Sequence, residues 1–125
     1  MTYPTTFRYT KEHEWVEIKG KQARVGITDH AQAELGDVVF VELPSMGTVV
    51  KKGGHLGTVE SVKAVSDVFS PLSGKVVAVN DSLESSPEMV NQAPHAEGWI
   101  VLLEISDPSE ANGLLDAAAY QALIA

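Results

Sequence analysis

The chain has 125 residues, 44% of them apolar and 21% charged, which fits one folded domain with a single core and excludes a disordered or fibrous protein. With 17 acidic and 9 basic side chains its formal net charge is -8, so phosphate backbones and anionic membrane surfaces are repelled, and we expect no nucleic acid or membrane partner. The chain has no cysteine, which excludes disulfides, thiolate metal sites and cysteine nucleophiles.

The start of the sequence, MTYPTTFRYTKEHEW, has the pattern of neither a secretory signal nor an organelle transit peptide. No apolar run approaches the roughly 20 residues that a membrane-spanning helix needs. We therefore expect a cytoplasmic protein of a bacterium-like cell.

The first predicted elements are a hairpin and a short helix. Apolar and polar residues alternate from Trp15 to Ile27 and are interrupted by Gly20, which predicts a β-hairpin. Thr28 is a suitable N-cap and Gly36 a suitable C-terminal cap for a helix of about two turns. The sequence from Val38 to Leu103 again has the pattern of β-strands, with one short helical turn predicted at Ser86-Pro87.

The C-terminal segment carries a helix start signal. Asp107 is a suitable N-cap, Pro108 suits the first helical position, and Glu110 stands where a capping box needs an acid. The sequence therefore predicts a C-terminal helix over 108–123, packed on a single domain of residues 1–125. We expect its buried face to consist of apolar residues at helical spacing, namely Leu114, Leu115, Ala118, Ala122 and Leu123.

Two stretches of the strand-rich region resemble each other. VVFVELPSMGTVVKKG aligns with VSDVFSPLSGKVVAVN at a constant offset of 27. The aligned pairs are Val38 with Val65, Val41 with Val68, Pro44 with Pro71, Gly47 with Gly74, Val49 with Val76, Val50 with Val77, and Gly53 with Asn80. This repeat predicts a mainly β (α+β) fold, in which two quasi-symmetric β units pack as a flattened barrel-sandwich hybrid.

The junction between the two units is ESVKAVSD, a bend without glycine, asparagine or proline. A two-residue hairpin needs positive φ, so we expect a four- or five-residue loop built on a type I turn. Val62 and Val65 stiffen such a bend, and Lys63 projects from it. On this pattern alone, Lys63 is either an ordinary solvated lysine or a presented amine.

The motifs ESVKAVSDVFSPLSGKVVAVN, YTKEHEWV, GITDHAQAELGDVVFVELP and GWIVLLEI together resemble the H protein family of the glycine cleavage system. The resemblance runs in order from about Tyr9 to the C-terminal helix. In the wider fold family, biotinyl carriers set the lysine between methionines and most lipoyl domains have Asp-Lys-Ala, whereas Val62-Lys63-Ala64 follows the H-protein pattern.

The resemblance implies that Lys63 carries (R)-lipoate in amide linkage and that the chain is a carrier rather than an enzyme. It implies that the arm takes the aminomethyl group of glycine from glycine decarboxylase (P protein) to the aminomethyltransferase (T protein). Dihydrolipoyl dehydrogenase (L protein) then reoxidises the arm. A lipoate ligase, or a lipoyl or octanoyl transferase, is implied as the modifying partner.

The resemblance also implies a place where the loaded arm rests. Glu14 of the EHEW stretch and Asp67 after the turn match family positions associated with holding the arm, and we add His13 and Ser61 as further arm contacts. Two positions depart from the family: Glu12 stands where serine is frequent, and His95 replaces an aromatic residue before Gly98-Trp99.

Other functions remain open from the residues alone. An H-protein-like relay could hand octanoyl or lipoyl groups to other lipoyl domains, or act outside glycine catabolism. A hydrolase or metal enzyme would use the histidines with Glu12 and Glu14, but the sequence has no nucleophile motif and no compact ligand motif, so we expect no metal. The last alternative hypothesis is a structural β-sandwich interaction domain, in which Glu12 and Glu14 are surface residues of one strand.

Overall fold

Residues 2–125, the part of the chain that this computed structural model describes, form mainly short antiparallel strands. The strands are β1 (Arg8–Tyr9), β2 (Glu14–Lys19), β3 (Gln22–Ile27), β4 (Val38–Glu42), β5 (Val49–Val50), β6 (His55–Ser61), β7 (Val65–Phe69), β8 (Gly74–Val79) and β9 (Val101–Ile105). The helices are α1 (Asp29–Leu35), α2 (Ser82–Ser85), α3 (Met89–Gln92), a 3-10 helix (Pro108–Gly113) and α4 (Ala117–Ile124).

The strands form two sheets, and neither closes into a barrel. One sheet has the order β1-β2-β3-β9-β8-β5 and the other β4-β6-β7. Val41, Val59 and Val68 of the smaller sheet belong to the same buried cluster as Val25 and Leu103 of the larger one. The two sheets therefore share one core, and the predicted mainly β sandwich with short helices is confirmed.

Two quasi-symmetric units are present, but their register differs from the predicted repeat. The antiparallel neighbours β4 and β6 pair Val38 with Ser61, and β8 and β9 pair Val76 with Leu103 in the same way. Both ladders then skip one residue, Val39 in the first and Val77 in the second. In the smaller sheet β7 lies on the free side of β6, as β3 lies beside β9 in the larger one.

The structural repeat therefore relates β3, β4 and β6 to β7, β8 and β9. The 27-residue offset instead matches β4 with β7, which is wrong as a structural alignment. β4, β7 and β8 are each rich in valine, so their sequences can be aligned in more than one register.

The predicted hairpin and first helix are confirmed. The hairpin turns at Gly20, whose φ of 63° requires glycine's freedom. Thr28 caps α1 by accepting the Ala31 N–H, and Gly36 ends the helix with a φ of 79°. In place of one helical turn near Pro87, two single turns, α2 and α3, occur on either side of it.

The C-terminal helix predicted over 108–123 is divided. Asp107 caps its first part as expected, but that part is a 3-10 helix ending at Gly113. Leu115 then exchanges two backbone hydrogen bonds with Tyr9, both 2.8 Å, and its paired N–H and C=O cannot continue a helix. Asp116 caps the new helix α4 by accepting the Ala119 N–H.

The buried face of α4 also differs from the prediction. Ala117 and Tyr120 are buried, whereas Leu123 is 48% exposed. Ala117 and Tyr120 complete a second buried cluster, an aromatic core, with Tyr3, Phe7, Tyr9 and Trp15. The restart at Asp116 places Tyr120 against the sheet, while Leu114 and Leu115 precede α4 and pack half-buried against the two cores.

Within residues 2–125, no helix combines the length and the apolarity needed to cross a membrane.

Candidate functional site

The turn that presents Lys63 is held by the side chain of Ser61. The Ser61 hydroxyl accepts the N–H groups of Ala64 (3.0 Å) and Lys63 (3.3 Å) and lies 3.2 Å from the Ala64 carbonyl. The Ser61 N–H donates to that carbonyl at 2.8 Å. The hydroxyl and this backbone hydrogen bond together hold the turn, and neither Val62 nor Lys63 has a positive φ. The connection is three residues, shorter than the predicted four or five.

Lys63 is exposed at the tip of this turn. A backbone hydrogen bond of 3.0 Å from Val62 N–H to the Asp37 carbonyl ties the turn to the chain entering β4. The Lys63 side chain runs over Gly36 at the end of α1, so closely that a Cβ at Gly36 would be 3.5 Å from Lys63 Cε. The lysine therefore stands between the turn and α1.

A cleft of about 260 Å³ lies beside the turn, between three segments of the chain. One wall is the bend before β2, residues 12–14, and another is α1 with Ala31, Glu34 and Leu35. Residues 64–68, which lead out of the Lys63 turn, form the third wall. The cleft therefore begins next to Lys63 and contains three of the predicted arm contacts: Glu14, Asp67 and His13.

Glu14 is a buried carboxylate, 2% exposed. It accepts the Thr10 hydroxyl at 2.6 Å and the Phe69 N–H at 3.3 Å. None of the salt bridges among residues 2–125 involves it. Burial raises the pKa of Glu14, and the two hydrogen bonds only partly oppose this. A cation entering the cleft would supply the charge partner that Glu14 lacks.

Asp67 occupies the open rim of the cleft. Its side chain is 58% exposed, and one carboxylate oxygen lies 3.2 Å from His55 Nε2. A carboxylate this exposed adds acidic character at little desolvation cost. Glu14 and Asp67 thus mark a buried and a rim position of the same cleft.

His13 lies in the cleft wall with an unusual backbone conformation. Its φ is 68°, and it is the one non-glycine residue among those described with a positive φ. Its Nδ1 lies 2.8 Å from the Tyr120 hydroxyl, and its ring centroid is 4.8 Å from that of His30. Burial, with His30 second, lowers the pKa of His13, while Glu34 and Glu12 oppose the shift. The imidazole is therefore kept neutral near pH 7.

Ser61 does not line the cleft. Its side chain is buried and its hydroxyl is engaged within the turn, so its position suits forming the turn rather than contacting an arm. Sequence reasoning missed Thr10, which binds Glu14, and Glu34, which pairs with His30 one helical turn away. The i, i+4 spacing of His30 and Glu34 on a predicted helix was an available signal for that pair.

His95 keeps the aromatic packing of its position. Its ring lies 5.3 Å from that of Tyr3 and 6.5 Å from that of Trp15, and its Nε2 accepts the Asp29 N–H at 3.0 Å. The Trp15 indole N–H donates to the Pro94 carbonyl at 2.8 Å. Between residues 2 and 125 no three histidine or acidic side chains are grouped to hold a metal ion.

Comparisons with known proteins agree over nearly the whole chain. A family model described as "Glycine cleavage H-protein" matches residues 7–125. The glycine cleavage system H protein of Anaeromyxobacter sp. (strain K) is 55% identical over 124 residues, 99% of this chain and 97% of the relative. The glycine cleavage system H protein of Symbiobacterium thermophilum is 58% identical over 119 residues, which cover 95% of this chain and 93% of the relative.

A solved structure is also similar. The crystal structure of a glycine cleavage system H protein from Mycobacterium marinum superposes with a TM-score of 0.88 at 37% identity, covering 96% of this chain and 97% of that one. Matching sequence, fold and length together identify the chain as a member of the glycine cleavage H-protein family.

Proposed function

We propose that this chain is the lipoate-bearing carrier of the glycine cleavage system, with Lys63 as the attachment residue. The observation that carries the proposal is the position of Lys63 on a firm turn beside a cleft that contains a buried, unpaired carboxylate, Glu14. Family membership supports the carrier role. When attached, lipoate supplies the sulfur chemistry that a chain without cysteine lacks.

The residues of the cleft fit a lipoyl arm that carries an amine. Ile27, Leu35, Val59 and Val68 give it an apolar lining that suits a hydrocarbon chain. Glu14 offers a buried carboxylate to an ammonium group, and Asp67 adds a second at the rim. In this proposal the chain holds the arm and shields its cargo from water.

The proposed partners follow from this role. They are glycine decarboxylase, the aminomethyltransferase and dihydrolipoyl dehydrogenase, together with the ligase or transferase that modifies Lys63. In the proposed role the chain is their shared substrate and catalyses no step itself. The relay of octanoyl or lipoyl groups and the cytoplasmic location stay predictions from the sequence.

Co-expression with a lipoate ligase tests the attachment residue. We expect the intact mass to rise by one lipoyl group, and peptide mapping to place it on Lys63. Lys63→Arg should keep the fold and abolish both the modification and carrier activity. Lys52→Arg, in the exposed glycine-containing turn after β5, is the matched control and should be modified normally. Acylation of another lysine, or carrier activity in Lys63→Arg, contradicts the proposal.

A further inference from the structure

Tyr120 lies far from Lys63 in the chain, but its hydroxyl contacts His13 in the wall of the cleft. The side chain is fully buried, at 0% exposure. Its oxygen lies 2.8 Å from His13 Nδ1 and 2.8 Å from the hydroxyl of Thr28. His13 belongs to the bend that forms one wall of the cleft, and Thr28 caps α1, which forms another. One hydroxyl thus joins both walls.

The segment that Tyr120 contacts needs external support. His13 has a φ of 68°, a left-handed backbone conformation that is strained for a non-glycine residue. Its carbonyl accepts the Thr28 N–H at 3.0 Å, and Thr28 Oγ1 accepts the Ala31 N–H at 3.2 Å. The bend and the start of α1 are therefore linked directly through the backbone and a second time through Tyr120.

The hydrogen bonds of this group can be satisfied in two directions. The Tyr120 hydroxyl donates one hydrogen bond and accepts others. It can donate to His13 Nδ1 while accepting from Thr28, or accept from His13 Nδ1–H while donating to Thr28. The contact therefore persists when His13 is neutral and when it is protonated. No other geometry is required of the imidazole, so it stays in the cleft wall in both states.

We propose that Tyr120 is a positioning residue of the arm cleft: its hydroxyl, fixed by Thr28, holds the His13 imidazole in the wall facing the loaded arm. The effect on the arm rests on the proposed function, whereas the effect on His13 concerns the unmodified protein alone. A loosened imidazole would open the wall and admit water to the cargo.

Several charged or titratable groups lie around His13 in the cleft, and His30, Glu34 and Glu12 act on its titration. Glu12 and Glu14 come from its own bend, and His30 and Glu34 come from α1. Asp67 faces the cleft from β7. Any readout on His13 therefore needs a variant that leaves all five in place, which a change at Tyr120 does.

The variant Tyr120→Phe removes only the hydroxyl. Its matched control is Tyr9→Phe, since Tyr9 is equally buried, stacks on Tyr120 at 4.9 Å and donates to the Pro4 carbonyl at 2.7 Å, away from the cleft. NMR titration of the unmodified protein should show the His13 titration curve displaced from that of the wild type in Tyr120→Phe, because the imidazole loses the hydroxyl that contacts its Nδ1 in both protonation states. It should not move in Tyr9→Phe. Equal His13 titrations in the two variants overturn the proposal.

The loaded protein gives the second readout. With Lys63 modified and loaded, Tyr120→Phe should lose its cargo several-fold faster than Tyr9→Phe at equal temperature. His13→Gly, which suits the positive φ, should lose cargo faster as well, and adding Tyr120→Phe to it should have little further effect. Fully additive effects, or an unchanged loss rate in Tyr120→Phe, overturn the positioning role. If the wild type cannot be loaded, the proposed function fails while the His13 titration still decides this inference.

Discussion

Glu14 is an ionisable residue in a buried environment that disfavours its charge in the unmodified protein. It is buried, it accepts two hydrogen bonds, and burial raises its pKa. A raised pKa in the folded state means that the stability contribution of Glu14 is complete below its ordinary value of 4.5. That contribution is lost as the pH rises through the folded-state pKa. Near neutral pH the carboxylate therefore destabilises the empty protein, in line with a functional role for its charge.

Glu14→Gln keeps the shape of the side chain and removes the charge. In the unmodified protein we expect its free energy of unfolding at pH 7 to exceed that of the wild type, because no buried carboxylate must then ionise. The decline of stability with pH above about 4.5 should also flatten. Urea unfolding between pH 4 and 8 measures both. Glu17→Gln is the control, since Arg24 lies 2.9 Å from Glu17 and its charge is compensated. An unchanged pH slope in Glu14→Gln contradicts this account.

Glu14→Gln should stabilise the unmodified protein but weaken its hold on the cargo. A neutral amide cannot compensate an ammonium group, so loaded Glu14→Gln should release its aminomethyl group faster than the wild type, as should Glu14→Ala. Mass spectrometry of the isolated loaded protein over time measures the loss. A release rate equal to that of Glu17→Gln would count against Glu14 as the group that receives the amine.

At the scale of elements, the β6–β7 connection owes its shape to a side chain rather than to a special backbone conformation. Ser61 supplies the hydroxyl that binds the N–H groups of Lys63 and Ala64. Glycine would reach the same shape with more conformational freedom in the unfolded chain. A serine-held turn is stiffer, and it keeps Lys63, the proposed attachment residue, in one place for a modifying enzyme.

Ser61→Ala should loosen this turn. We expect a loss of about 1 kcal/mol in the free energy of unfolding, since the hydroxyl's hydrogen bonds vanish and two N–H groups lose their partner. Amide exchange at Lys63 and Ala64 should accelerate, and the ligase should modify Lys63 more slowly. Ser85→Ala is the control, because its exposed hydroxyl makes one long contact of 3.3 Å to Ser82. Unchanged exchange at Lys63 would show that the backbone alone forms the turn.

Local signals predicted what depends on neighbouring residues, and failed where distant pairing decides. Thr28 and Gly36 bound α1 as expected, since capping acts within one turn. The break before α4 depends on Leu115 pairing with Tyr9, which no local pattern reveals.

The candidate site follows the same rule. Lys63, Glu14, Asp67 and His13 were identified through motifs that resemble a family, and the fold brings the last three into one cleft. The sequence did not indicate Tyr120, because it lies 107 residues from His13. The helix predicted over 108–123 also had a different buried face from that of α4.

The whole molecule presents a surplus of negative charge to any partner. The net charge is -8, and Glu12, Glu34 and Asp67 line the cleft beside Lys63, the proposed attachment residue. Opposite charge on a partner speeds encounter more than it strengthens the final complex. Salt screens this attraction, with a Debye length of about 8 Å at physiological ionic strength.

The rate of Lys63 modification should therefore depend on salt. We expect kcat/KM of a lipoate ligase for the unmodified protein to fall as ionic strength rises. Asp37→Lys, beside the turn, should weaken this dependence more than Glu104→Lys on β9, although both change the net charge equally. Initial rates across a salt series measure the effect. A rate independent of salt, or equal effects of the two variants, contradicts steering by charge around the turn.

The contact between His13 and Tyr120 can form only late in synthesis, because Tyr120 lies near the end of the sequence. Lys63 leaves the ribosome on the order of several seconds before Tyr120 at ordinary rates of translation. A growing chain can thus hold both strands of the Ser61-bound hairpin while it still lacks the residue that joins the walls of the cleft. Presenting the lysine and sheltering a cargo are separable in time. In the proposed role, a chain cut before α4 would keep at most the first ability, because shelter of the cargo requires Tyr120.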